Sequence, residues 1–225
     1  MSVDATQGAQ PVMVPNTLRP GTVVLLLLGC CLLAACGVGP DRVRIHSVSR
    51  DRAGTSLVHR PTIVAYRTEG DVHAEILATD LAIEDLDPAR GFEGVQGQIT
   101  RVRMFVVPIA GRTPVSSSAG NTVIQHVVIN DGVLAVYGGS GLLRPDARPG
   151  AGTLAGTLRN GTLRLTRSSR GVVDPIGTAD VDLALTATLD APLTALIATR
   201  LDQAIEMTRP IEPPGVDQGD AAGDP

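Results

Sequence analysis

From Asp180 to Leu189 the chain alternates strictly: Val181, Leu183, Leu185, Ala187 and Leu189 fall on one side, and Asp182, Ala184, Thr186 and Thr188 on the other. Strand side chains alternate with period two, so this stretch reads as a strand with one buried face and one wet or lightly covered face. A sheet with a buried face must pack that face against something, which makes the chain a layered β protein. At Asp190 the period changes. Leu193, Leu196, Ile197, Leu201 and Ile205 recur at spacings of three and four, which predicts an amphipathic helix over about 191–208. Asp190 can cap it, Pro192 is tolerated in its first turn, and Pro210 stops it.

Further strands are expected upstream. Val43 to Val48, Thr62 to Tyr66 and Val72 to Thr79 approximate the same alternation, and Gln98 to Val107 is dense in β-forming side chains before Pro108. Asp80 to Arg90 fits either period and is expected to be loop, and Gly111 to Asn121 is a polar loop. Thr122 to Ile129 and Val133 to Tyr137 flank Asp131-Gly132, a hairpin turn signal. Thr153 to Arg159 and Thr162 to Thr166 flank Asn160-Gly161, which predicts a second hairpin by the same rule. The expected fold is mainly β: a single antiparallel β-sandwich or curved sheet of roughly seven to nine strands with one C-terminal helix.

Composition narrows function more by exclusion than by suggestion. All 19 basic residues are arginine, against 23 acids. With no lysine there is no Walker-type phosphate loop, no lysine Schiff base and no Ser-Lys dyad. Glu212, Asp217, Asp220 and Asp224 concentrate acid in the tail, so the body from Cys36 to Arg209 is net neutral and has no global reason to seek nucleic acid. Tryptophan is absent, and Tyr66, Tyr137, Phe92 and Phe105 are the only Tyr or Phe, which leaves little to stack on sugars or bases.

Thr22 to Ala35 is a 14-residue apolar run. As helix it reaches about 21 Å, short of a hydrocarbon core of roughly 30 Å. It closes on Leu33-Ala34-Ala35-Cys36-Gly37, with Arg19 just upstream. This ending resembles the lipobox of bacterial lipoproteins, with Leu33 at minus three and small Ala34 and Ala35 before the cysteine. The resemblance implies that residues 1–35 are a cleaved signal, that Cys36 takes a diacylglyceryl group on sulfur, and that the mature chain begins acylated at Cys36. Met13 as the start would leave a compact 23-residue signal with Arg19 near its positive end. Cys30 and Cys31 fall inside the signal, so no disulfide is expected in the mature chain. Gly37 in place of an aspartate is compatible, in that family, with an outer-membrane address.

Candidate chemistry is sparse. His46, His59, His73 and His126 show no close ligand spacing, and Asp80, Glu84, Asp85 and Asp87 lack the alternation and glycine of a calcium loop. Gly138-Gly139-Ser140-Gly141 misses the last glycine of a nucleophile elbow, where Leu142 stands, and reads as a glycine-rich turn or bulge. Ser116, Ser117 and Ser118 have no triad partners that sequence can name, and Asn160-Gly161-Thr162 reads as a turn rather than a glycosylation acceptor. No catalytic residue, cofactor or metal is assigned; the one site residue is Cys36, for lipidation. The expected layout is a signal at 1–35, a lipidated tether at 36–41, a β-rich domain at 42–209 and a disordered acidic tail at 210–225. The expected role is that of a membrane-anchored lipoprotein on the exported side of the cell envelope. It would bind a protein or envelope partner, without catalysis, through its sheet edge or long loop. A carrier of an apolar ligand and a hydrolase with no nameable site are the alternatives.

Overall fold

The strand predicted at Asp180 to Leu189 is real and central. In the computed structural model, which describes residues 41–70, 73–105 and 120–211, it spans Ala179–Leu189. Val181, Leu183, Leu185 and Ala187 are buried and the residues between them half-buried, while Leu189, expected on the same face, is exposed where the strand ends. In chain order the strands are β1 (Arg42–Ser47), β2 (Ser56–His59), β3 (Ile63–Glu69), β4 (His73–Thr79), β5 (Gln96–Met104) and β6 (Thr122–Asn130). They continue as β7 (Val133–Gly141), β8 (Leu143–Pro145), β9 (Thr153–Ser168), β10 (Ala179–Leu189) and the short β11 (Arg209–Pro210). Helix α1 (Ala191–Glu206) lies between β10 and β11. The fold is mainly β, with one helix near the C-terminus among the described residues.

Strands β3 to β7 form an antiparallel meander, and β7 pairs with β9, β9 with β10, and β10 with β3. The curved sheet thereby closes into a ring of β3, β4, β5, β6, β7, β9 and β10. Closure is the parallel contact of Thr188 with Ala65 and Leu189 with Tyr66, reinforced by the Asp190 N–H donating to the Tyr66 carbonyl at 3.0 Å. Beyond that contact β10 turns the rest of its edge to β1, which carries β2. A ring of this size is narrow enough for side chains to fill. Val43, Ile45, Tyr66, Ile76, Val102, Ile124 and Val181 fill it and are fully buried. The hydroxyl of Tyr66, buried in this core, donates to the Ala151 carbonyl.

A second apolar layer lies outside the ring. Leu77, Ile99, Val127 and Val136 face outward and meet Ile197, Leu201 and Ala204 of α1, which covers β3, β4 and β5. Asp190 caps the helix as expected, accepting from the Leu193 N–H at 2.9 Å. The segment from Asp80 to Arg90, expected as plain loop, contains a 3-10 turn at Ile83–Leu86 and tucks Leu81 and Leu86 under the helix. The helix ends at Glu206, before Pro210, because Arg209 and Pro210 return as β11 on β9 and the Ile211 N–H donates to the Thr166 carbonyl. Order therefore extends past Pro210 to Ile211, and the remainder of the expected tail lies outside the described residues. Among the described residues no helix is long and apolar enough to cross a membrane.

The two turn signals part ways. Asp131-Gly132 makes the hairpin between β6 and β7, with both residues at positive φ, as a type I′ turn demands. Asn160-Gly161 makes no hairpin: β9 runs straight through it for 16 residues. Only Asn160 takes positive φ, and the ladder skips, pairing Leu158 with Leu183 and Gly161 with Val181. Arg159 and Asn160 together oppose Asp182, which is a β-bulge. Each half of β9 already has partners on both edges, so the halves have no reason to pair with each other. The glycines after Tyr137 likewise form regular strand rather than the expected turn or bulge, since β7 continues to Gly141 and its one register shift precedes them. A Cβ on Gly139 would stand 1.7 Å from the Thr162 carbonyl oxygen, so glycine there lets β7 approach β9.

Candidate functional site

Three polar constellations stand out in the described residues, and they differ in what can reach them. The first lies inside the ring. Thr100 Oγ1 is 2.9 Å from His59 Nδ1 and 2.9 Å from His126 Nδ1, with all three residues at 0% exposure. A hydroxyl has one proton to give, so it donates to one imidazole and accepts N–H from the other. Asp80 Oδ1, 3.9 Å from His59 Nε2, favours a proton on that nitrogen. His59 then accepts from Thr100, and His126 donates to it, leaving His126 Nε2 as a bare lone pair in the core. Burial holds both rings neutral: desolvation lowers His59 to about 4 against a weaker upward pull from Asp80, and His126 to about 3 with His59 adding to the fall. Nearby, burial and Asp174 raise the pKa of Tyr137, whose hydroxyl donates to Asp174 Oδ1 at 3.2 Å. No substrate can touch Thr100, so this chain of groups is an internal support.

The second constellation lies on the outer face of β4 and β5. Glu75, 5% exposed, forms ion pairs with Arg67 Nη2 at 2.5 Å, Arg103 Nε at 2.9 Å and Arg101 Nε at 3.0 Å. Arg101 continues to Asp202 on α1 at 2.7 Å and to Gln125 Oε1 at 3.1 Å. A shallow recess of about 250 Å³ adjoins Glu75 and Arg103, bounded also by Glu69 and His73. Its arginines are already matched to carboxylates, which leaves little for a ligand.

The third is open and unmatched. Antiparallel register places Arg42 of β1 beside Ala184 of β10, Ala184 beside Thr157 of β9, and Thr157 beside Arg144 of β8. Two residues along, on the same face, Arg44 stands opposite Asp182, and the bulge sets Arg159 and Asn160 against the same aspartate. Two adjoining recesses of about 380 and 410 Å³ share Thr157, Arg159 and Asn160. Among the described residues, no carboxylate or carbonyl pairs with Arg42, Arg44, Arg144 or Arg159. Asp182 accepts the Asn160 N–H at 2.9 Å, Asp41 the Thr186 N–H at 2.6 Å and Asp146 the Ala155 N–H at 2.9 Å. The result is a trough floored by small residues and walled by free guanidinium groups.

Compared with protein-family models, with curated proteins and with solved structures, the chain matches none.

Among the residues singled out by sequence, Cys36 and Ser116 to Ser118 lie outside the described residues. His59 and His126 meet through Thr100, while His73 is exposed at the rim of the Glu75 recess and His46 sits on the outer side of β1. The acidic group splits up: Asp80 accepts the Gln98 N–H, Asp85 pairs with Arg90 at 3.1 Å and Asp87 accepts the Ala89 N–H. No cluster of three or more metal-type ligands occurs among the described residues. The arginine trough escaped sequence reasoning. Arg42 and Arg44 could be placed on one face by alternation, but their adjacency to Arg144 and Arg159 needs the strand order.

Proposed function

We propose that this chain is a lipid-anchored, non-catalytic binding module of a bacterial cell envelope, held by acyl chains on Cys36. The observation that carries the binding half is the trough itself, a solvent-open face of unpaired arginines on a protein whose net charge is −4. Free guanidinium groups are donors awaiting an anionic acceptor. The non-catalytic half is supported by burial, since the hydroxyl–imidazole contacts around Thr100 are sealed from solvent. A carrier role draws no support from the interior. Ile45, Ile76, Val102 and Ile124 have no exposed surface at all, so they border no void that admits even a water molecule.

Two acyl chains anchor stably where one binds marginally, at about 0.8 kcal/mol per buried CH₂. Metabolic labelling with a fatty acid, followed by membrane fractionation, tests the anchor. Wild type is expected to take up label and sediment with membranes, and Cys36→Ser to do neither. Label on the Cys36→Ser variant, or none on wild type, would remove the lipoprotein reading.

A further inference from the structure

We propose that the trough between Arg42, Arg44, Arg144 and Arg159 binds the phosphate groups of anionic phospholipids, seating this face of the barrel on the membrane that holds Cys36. The inference rests on the anchored reading above and adds the ligand to it. Arginine forks engage phosphate oxygens in paired N–H···O bonds, and these four have no competing partner among the described residues. Their layout suits a plane of headgroups better than a single ion. Arg42 and Arg144 end one cross-strand row, three strand spacings or roughly 14 Å apart. Arg44 and Arg159 form the next row.

Between the rows' ends, Ala184 and Thr157 are too short to fill the space, so phosphates can descend to the guanidinium level. The bulge in β9 contributes directly: by turning Arg159 and Asn160 outward in succession, it adds a donor that strict alternation would have lost. The lining contains no aromatic side chain, which leaves nothing to stack on a sugar ring or base. Position points the same way. Arg42 follows Cys36 by six residues, a reach of at most about 20 Å of extended chain. A surface charge that close to an acyl anchor lies within range of the headgroup layer, where each arginine adds about a fivefold increase in binding.

The test uses the mature chain from position 36 onward, made without its apolar leader and with Cys36→Ser, so that neither the leader nor a lipid is present. Sedimentation is measured with vesicles of phosphatidylcholine alone and of phosphatidylcholine mixed equally with phosphatidylglycerol. Binding is expected only to the anionic vesicles. Arg42→Gln with Arg144→Gln should weaken it by roughly 25-fold. The exposed Arg148→Gln and Arg170→Gln, outside the trough, should leave it nearly unchanged. Equal binding to both vesicles, or equal losses in the trough and control pairs, would overturn the proposal. So would displacement by millimolar inorganic phosphate at constant ionic strength, which would make the trough a soluble-anion site. Because this protein lacks lipid, anionic-vesicle binding with no fatty-acid label on Cys36 in cells would keep the trough and discard the anchor.

Discussion

Arg101 on β5 reaches Asp202 on α1 with Nη1 2.7 Å from Oδ1, while its Nε lies 3.0 Å from Glu75. One guanidinium thus ties the helix to the sheet. The two carboxylates differ in solvent access, with the Asp202 side chain 54% exposed and that of Glu75 6%. Asp202→Asn should cost no more than about 1 kcal/mol, because water screens an exposed pair. Arg101→Met should cost about 3 kcal/mol or more, because a buried charge network loses its central member. Urea unfolding midpoints of the two variants check this; equal shifts would mean the helix is not pinned through Arg101.

The buried side of α1 gives a second expectation. Leu201 and Ile197 are fully buried against the outer layer of the sheet, whereas Thr199 is exposed. Leu201→Asp places an unpaired charge there and should cost several kcal/mol, while Thr199→Asp should stay within about 0.5 kcal/mol. Ile197→Leu, near in volume, should be mild. If the two aspartate variants melt together, the packing of α1 is not as described.

Acid should unfold this barrel through its two core imidazoles. Their folded pKa values, about 4 for His59 and about 3 for His126, lie below the ordinary 6.5. The unfolded chain therefore binds more protons between those values and 6.5. Stability is full above pH 6.5 and falls as pH drops toward 4 and then 3, by about 1 kcal/mol per pH unit for each ring. His126→Leu should remove roughly half of that slope between pH 6 and about 4.5. Chemical denaturation across this range reads it directly, and an unchanged slope would show that His126 does not titrate on unfolding.

Glycine positions should separate by what surrounds them. Gly139→Ala drives a Cβ into the Thr162 backbone and should prevent normal folding or cost at least about 3 kcal/mol. Gly161→Ala meets Leu158 and Val181 at 2.7 and 2.9 Å and should cost about 1 to 3 kcal/mol. Gly152→Ala meets nothing within 4 Å and should be neutral or slightly stabilising. Thermal melts of the three variants test the order.

The sequence by itself determined whatever depends on neighbours a few residues away. Alternation from Val181 to Ala187 gave a strand and its buried face; the three-and-four spacing after Asp190 gave a helix capped by Asp190. Asp131-Gly132 gave a hairpin because both residues could take positive φ and the flanking runs had each other as partners. Tertiary structure decided what depends on partners far along the chain. Asn160-Gly161 carries the same local signal, yet β10 on one edge and β8 and β7 on the other hold β9 extended through it, and the signal became a bulge. His59 and His126 are far apart in sequence and meet only because the register of β6 on β5 sets His126 beside Thr100 and β2 brings His59 to the same hydroxyl. Arg200, which sequence would place in water, is fully buried over Phe92 and donates to the carbonyls of Arg90 and Gly91 at 2.6 Å. The arginine trough belongs to the same class. Period two aims each arginine outward, but only the pairing of β1, β10, β9 and β8 brings them to one face, because register is a property of strand pairs and not of strands.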